Sequence, residues 1–303
     1  MHKVTSKWPH QESIKVEWNL GKRCNLDCAY CPAEIHDNHS PHTNIKILMD
    51  TVDALAEIGK PIRISLTGGE PTVHPDIEDL ITHIHQRLDW LNVTTNGLRD
   101  ANWYTNQPVD HYVFSLHFDN KNWSRALENI IRFSTHNDNM QNIPFMVNVM
   151  AHHKHMKSVK LAVKQFAEKG IKYAVRRIRW TEGDHDIFDD MRYDGNDLQW
   201  ILKQKASVLP NCVVDYEGAP EVLKHANDII KDHENQFKGW SCNAGIESLM
   251  INWDGDVHRA TCRVGGSLGN IYKGTFEIPQ QPIICTRNFC TCASDIPLTK
   301  IKI

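Results

Sequence analysis

The stretch SIKVEWNLGKRCNLDCAYCP (13–32) decides how this chain is read. Its first eight residues alternate apolar and polar side chains, the pattern of a β-strand with one buried face. The strand runs directly into three cysteines within eight residues, Cys24, Cys28 and Cys31. Metal sites usually take four ligands, and no fourth cysteine is near. Three histidines follow instead, His36, His39 and His42. Two readings compete. One is a structural zinc site closed by a histidine; the other is an iron–sulfur cluster whose fourth coordination position is kept for another molecule. A [4Fe–4S] cluster normally takes four thiolates, so three would make it a reaction centre and not merely an electron carrier. Zinc modules of this type are small and loop-rich. Here the thiols follow a strand, and loops at the carboxyl ends of strands are where β/α folds place their chemistry.

Outward from that loop, strand-like and helix-like segments alternate. NIKILMDTVDALAEIG (44–59) has helical spacing, PIRISL (61–66) reads as a strand, and PDIEDLITHIHQRL (75–88) as a helix. WLNVTTNG (90–97) and HYVFSLHF (111–118) read as strands, NWSRALENIIRFSTHN (122–137) as a helix and IPFMVNVM (143–150) as a strand. A helix at 157–170 and a strand at 172–180 complete the series. Helices between strands imply parallel pairing through right-handed crossovers. About six such units fall short of the eight that close a barrel. The expected fold class is α/β, a partial (β/α)6 barrel over residues 14–182. After the acidic junction EGDHDIFDDMRYDG (182–195), connecting helices are expected within 183–238, near 196–208 and 219–232. A small hairpin-and-loop domain over 239–303 follows, its turn marked by Asp254-Gly255.

The 303 residues, 41% hydrophobic and 23% charged, describe a globular chain with an ample core. A formal net charge of −3 gives no reason to expect nucleic-acid affinity, and no membrane-length or signal-type apolar run is evident. A reducing, cytoplasmic setting is expected. Nine cysteines in such a chain point to ligands and not to disulfides. Three sit in the opening loop, five near the C-terminus (Cys242, Cys262, Cys285, Cys290, Cys292), and Cys212 stands alone. Two groups suggest two sites.

The C-x-x-x-C-x-x-C spacing, the aromatic Tyr30 before the third cysteine and the β/α series behind it resemble the radical S-adenosylmethionine (SAM) superfamily. That resemblance implies a [4Fe–4S] cluster on Cys24, Cys28 and Cys31 and SAM on its open position. It also implies that Tyr30, the TGGEP turn (Gly68, Gly69, Glu70), Asn96 of TTNG, Ser115 of SLH and Asn148 line the SAM site. The implied chemistry is one-electron cleavage of SAM to methionine and a 5′-deoxyadenosyl radical, which abstracts hydrogen from carbon. The cofactors carry the difficult step and the protein orients it.

The stretch 240–262, a hairpin flanked by Cys242 and Cys262, followed by CTRNFCTC (285–292), resembles the SPASM/Twitch extension of the same superfamily. Five cysteines are too few for two fully ligated cubanes. One auxiliary [4Fe–4S] cluster is therefore implied, held by Cys242, Cys262 and two of Cys285, Cys290 and Cys292; a zinc ribbon is the alternative. The implied substrate is a peptide, or else a sugar or other small polar metabolite, with a flavodoxin- or ferredoxin-like electron donor. Only about a dozen residues precede the first strand, so no separate peptide-recognition domain is expected ahead of it. His117, His152 with its neighbour His153, Arg177 and Arg179 lie at strand ends and are the candidate substrate residues. Arg176 falls on the opposite face of its strand from the other two arginines. Cys212 has two readings, a buried small hydrophobe or, as in some epimerases of the superfamily, a hydrogen donor to the substrate radical. From another class, the chain could be a non-catalytic zinc-binding adaptor.

Overall fold

The computed structural model describes residues 1–7, 12–140, 142–178, 180–182, 185–187, 192–205 and 207–303. A short first strand, β1 (Lys3–Ser6), pairs with the C-terminal part of the chain. The alternating stretch forms β2 (Ile14–Asn19), with Ile14, Val16 and Trp18 fully buried and Lys15 and Glu17 on the other face. Next come β3 (Ile62–Thr67), β4 (Trp90–Thr95), β5 (His111–His117), β6 (Phe145–Ala151) and β7 (Tyr173–Arg177), each parallel to the strand before it. Helices α1 (Ile45–Ala56), α2 (Ile77–Arg87), α3 (Ala101–Thr105), α4 (Trp123–Met140) and α5 (Met156–Glu168) connect them. These six strands are the six expected units of the α/β partial barrel.

Each helix lays one apolar stripe on the sheet. In α1, capped by the Asn44 side chain, that stripe is Leu48, Val52 and Leu55; in α2 it is Ile77, Leu80, Ile81 and Ile84. The helix-facing side of β5 packs Phe114 against Tyr104 and Phe133, with ring centroids 5.1 and 5.2 Å apart. The other side is polar. Ser65, Asn92 and His111 occupy one cross-strand row, tied by Asn92 Nδ2 to Ser65 Oγ at 2.7 Å and by His111 Nδ1 to Asn92 Oδ1 at 2.8 Å. Parallel strands covered on both faces by apolar layers read as continuous hydrophobic runs. The alternation here reflects an interior able to hold a polar ligand.

Beyond β7, a two-stranded ribbon pairs β8 (Trp180–Glu182) with β9 (His185–Ile187). Helix α6 (Gly195–Lys203) follows, then β10 (Cys212–Asp215), β11 (Val222–Lys224), α7 (Ala226–Lys231), β12 (Ser241–Cys242), β13 (Ser248–Ile251), β14 (Asp256–His258), β15 (Ser267–Asn270), β16 (Ile283–Ile284) and β17 (Lys300–Ile301). Two expectations are corrected. The 183–238 region is not only helical: β10 and β11 join β1, β12, β16 and β17 in an antiparallel sheet ordered β11-β10-β1-β17-β12-β16. The hairpin β13–β14 does not stand apart with the C-terminal cysteines either. It extends the large sheet, because β13 runs parallel to β2 with Met250 opposite Glu17. All four β13 residues are buried, as a strand covered on both faces requires. At its turn Gly255 (φ +84°) sits 2.4 Å, measured from a Cβ it lacks, from the Tyr272 ring. Among the described residues no helix is long and apolar enough to cross a membrane.

Candidate active site

The three-cysteine loop is moored from every side by polar contacts. Cys24 N–H donates to the Asp37 carbonyl at 3.0 Å, and Asp37 in turn accepts from Ser40 and lies 3.4 Å from Lys22. Ala29 N–H donates to Asp119 at 2.8 Å. Tyr30 shares a 2.6 Å hydrogen bond between its hydroxyl and His117 Nδ1, and its ring lies 5.8 Å from that of His152. Asp119, two residues past SLH, and Asn25, between the first two cysteines, carry no sequence signal of their own. His117 and His152 are each pushed down to about 4 by burial, so both rings are neutral at physiological pH. The thiols of Cys24, Cys28 and Cys31 go the other way. Burial pushes them to about 11, 12 and 12, with the Glu70 charge adding at Cys24 and neighbouring cysteines adding at Cys28 and Cys31. Only a strong Lewis acid would hold all three as thiolates.

The histidines that could have closed a zinc site are turned elsewhere. His36 directs Nε2 to the Leu26 carbonyl at 2.7 Å, His42 packs its ring on His74, and His39 is exposed. Among the described residues no three Cys, His, Asp or Glu side chains converge on a point one metal ion could fill.

The TGGEP turn braces this loop. A Cβ on Gly69 would lie 2.2 Å from the Arg23 carbonyl oxygen, and one on Gly68 (φ +120°) 2.7 Å from that of Gly21. The glycines therefore let two backbones touch, and the N–H groups of Gly69 and Glu70 donate to Gly21 and Arg23 at 2.8 and 2.9 Å. Glu70 also departs from expectation. Its buried carboxylate accepts from Thr72 N, Thr72 Oγ1 and Thr95 Oγ1 on one oxygen and from Asn96 N at 2.7 Å on the other. It is a brace between β3 and β4, committed to four internal donors. Burial raises its pKa while those hydrogen bonds oppose the rise. Asn96 completes the link, donating from Nδ2 to Asn25 Oδ1 at 2.7 Å beside Cys24. Replacing Glu70 by Gln turns an acceptor into a donor facing donors. The expected loss is about 1–3 kcal/mol of stability, read as a lowered melting temperature with the three-cysteine loop loosened.

Strand register settles which residues face the interior. Ser115 lies opposite Asn148, and His117 opposite Met150, which is opposite Arg176. Arg177 pairs with Ala151, in the alternate row that packs against the helices. This corrects the choice of arginine: Arg176 shares the interior face with His117, and Arg177 does not. Arg179 lies outside the described residues. A cavity of about 60 Å³ at the β7 edge is lined by Arg176, Arg177, Gln204, Asp228, Lys231 and Thr291, among others.

Thr291 lies between Cys290 and Cys292, so the C-terminal cysteine loop reaches the last barrel strand. The same loop reaches the first: Lys15 Nζ donates to the Ser294 carbonyl at 3.3 Å. Glu17 is half-buried beside Lys15, 3.6 Å away, and the nearby Asp295 adds to the desolvation that raises its pKa. Cys242, Cys262, Cys285 and Cys290 lie close enough to feel one another's charge, each linked to at least one other of the four, and Cys292 acts on Cys290 in the same way. Cys292 turns to Ser294 Oγ at 2.9 Å. Cys212 corrects its sharper reading. It is fully buried in β10 among Val4, Val214, Cys285 and Cys290, in a core separate from the barrel's, with its thiol pushed to about 12. That packing favours the buried small hydrophobe.

Residues 18–150 match the Radical SAM superfamily, and they span the cysteine loop through β6. They form a radical SAM domain within this chain. Its relatives include the Fe-coproporphyrin III synthase of Methanosarcina barkeri, 23% identical over 86% of this chain and 72% of that protein. Similar solved structures are radical SAM enzymes with SPASM-type extensions. One is anSMEcpe with bound AdoMet and the Cp18Cys peptide, with TM-score 0.55, 16% identity, and coverage of 87% of this chain and 78% of that one. Another is Streptococcus suis SuiB bound to its precursor peptide SuiA, with TM-score 0.56, 15% identity, and coverage of 88% of this chain and 64% of that one. As a radical SAM enzyme the chain uses SAM and a [4Fe–4S] cluster. The donor set fits: three thiols on one loop, none of the nearby histidines directed to them, and a polar interior beside it.

Proposed function

We propose that this radical SAM enzyme binds its cluster through Cys24, Cys28 and Cys31 and abstracts hydrogen from a peptide held at the barrel mouth. The observation that carries the reading is the incomplete ligand set: three buried or half-buried thiols, with His36 and His42 held by other partners. A [4Fe–4S] cluster held by these three cysteines would supply one electron to the sulfonium of SAM, the chemistry that yields methionine and a 5′-deoxyadenosyl radical. The chain's residues do the rest. Carbonyl oxygens of Gly68 and Gly69 would face the ammonium group, since the Thr67 carbonyl accepts from Leu20 N–H and the N–H groups of Gly69 and Glu70 are engaged with Gly21 and Arg23. Asn96, Ser115 and Asn148 offer hydrogen bonds along the interior, and Tyr30 closes the loop side through His117. A flavodoxin- or ferredoxin-like protein delivers the electron.

The peptide reading draws on neighbours of the same architecture that hold peptides. A second reading, a small molecule bearing carboxylates, is favoured by the coproporphyrin enzyme among the sequence relatives and by Arg176 on the interior face. Anaerobic assays with candidate peptides and with iron coproporphyrin III separate the two. The true substrate raises 5′-deoxyadenosine release above the substrate-free rate and itself changes mass.

The auxiliary cluster takes Cys242, Cys262, Cys285 and Cys290, with Cys292 left to the Ser294 turn. Cys290→Ala is expected to lower iron from about eight to about four per chain, whereas Cys292→Ala leaves it near eight. Equal losses from both, measured on anaerobically purified protein, rule out this assignment.

A further inference from the structure

Lys300 is 2% exposed, buried in the middle of the smaller sheet. Its Nζ donates to three backbone carbonyls, those of Asp295 at 2.5 Å, Ile296 at 3.1 Å and Leu298 at 3.2 Å. An ammonium has three N–H donors and a neutral amine only two, so three acceptors specify the charged form. The cation also lies 5.2 Å from the Phe237 ring centroid. Asp295 turns its carboxylate to Thr261, so it does not close an ion pair with Lys300. A buried charge without a partner is expensive, and a methionine would fill the same space without that cost.

The position of the charge explains its retention. Lys300 is the direct cross-strand partner of Cys242 in the antiparallel pair β12–β17, which brings their side chains together on one face. On its other side it pairs with Val4, whose core contains Cys285 and Cys290. Burial raises the thiols of Cys242, Cys290 and Cys212, and in each the Lys300 charge opposes that rise. Four thiolates around a cubane form a net anion, and reduction adds one more negative charge. A fixed cation in a low-dielectric wall favours the more negative state.

We propose that Lys300 is the resident counter-ion of the auxiliary cluster, a fixed positive charge that makes the cluster easier to reduce. The inference rests on the auxiliary-cluster reading above. The test uses the full chain with Cys24, Cys28 and Cys31 all replaced by Ala, so that only the C-terminal cluster titrates. Iron and sulfide are measured first. Absence of iron there overturns the auxiliary-cluster reading itself, before any change at Lys300. With iron present, the cluster is titrated with dithionite and mediators and followed by electron paramagnetic resonance. Lys300→Met should shift the reduced-to-oxidised ratio at a given potential at least tenfold toward oxidised, about 59 mV for one electron. Lys300→Arg should stay near the parent. An unchanged Lys300→Met, or a Lys300→Arg shifted as far, overturns the proposal. Should Lys300→Met fail to hold iron, Lys300→Arg decides: retained iron at the parent potential supports the counter-ion, and its loss as well overturns it.

Discussion

Gly69→Ala should strip the N-terminal loop of its cluster although no ligand is touched. The added Cβ would lie 2.2 Å from the Arg23 oxygen, 2.4 Å from the Lys22 oxygen and 2.6 Å from the Arg23 carbonyl carbon. All three are backbone atoms, so no side-chain rotation relieves the clash. Overpacking of that kind costs about 1–3 kcal/mol where neighbours can shift, and here the neighbour is the residue before Cys24. The loop must lift, breaking the hydrogen bonds from Gly69 to Gly21 and from Glu70 to Arg23. Iron should fall from about eight to about four per chain, with the C-terminal cluster and the melting of the smaller sheet little changed. Full iron and full SAM cleavage in this variant would mean that the turn does not brace the loop.

Cys28→Ala is expected to abolish 5′-deoxyadenosine formation outright. Cys28 is the most buried of the three thiols, at 8% exposure, and it hydrogen-bonds Tyr30 while repelling both Cys24 and Cys31. With two thiolates the loop holds no cubane, since the surrounding histidines are committed to Leu26 and His74. Auxiliary iron should survive, which distinguishes this loss from unfolding. A variant that retained cleavage would show that another side chain completes the site.

Much of this architecture is legible in residues 13–180. Alternation in β2 and β5 sets which face is buried, and glycine-rich turns mark the loops that touch. The cysteine spacing and the Tyr30 position point to the site before any contact is known. What the sequence hides is non-local. A strand signal such as SLMI announces a hairpin with DVH but not its parallel pairing with β2, which depends on a register 233 residues away, Ser248 opposite Lys15. The same holds for β1, a four-residue strand paired with β10 and β17. Glu70 looks like a ligand because its type suits an ammonium group; only the positions of Thr72, Thr95 and Asn96 reveal a brace. Arg176 and Arg177 differ by one residue, and strand register alone separates interior from exterior. Lys300 carries no sequence signal at all, because a lysine near a chain end ordinarily reads as solvated.

The most direct test of the central claim is chromatographic. Anaerobically purified protein carrying iron is reduced with dithionite, given SAM, and quenched for 5′-deoxyadenosine. The account predicts 5′-deoxyadenosine with matching methionine from the natural sequence, and none from the Cys24, Cys28, Cys31 triple-alanine chain. Equal amounts from both chains, or none from an iron-loaded natural chain, would contradict it.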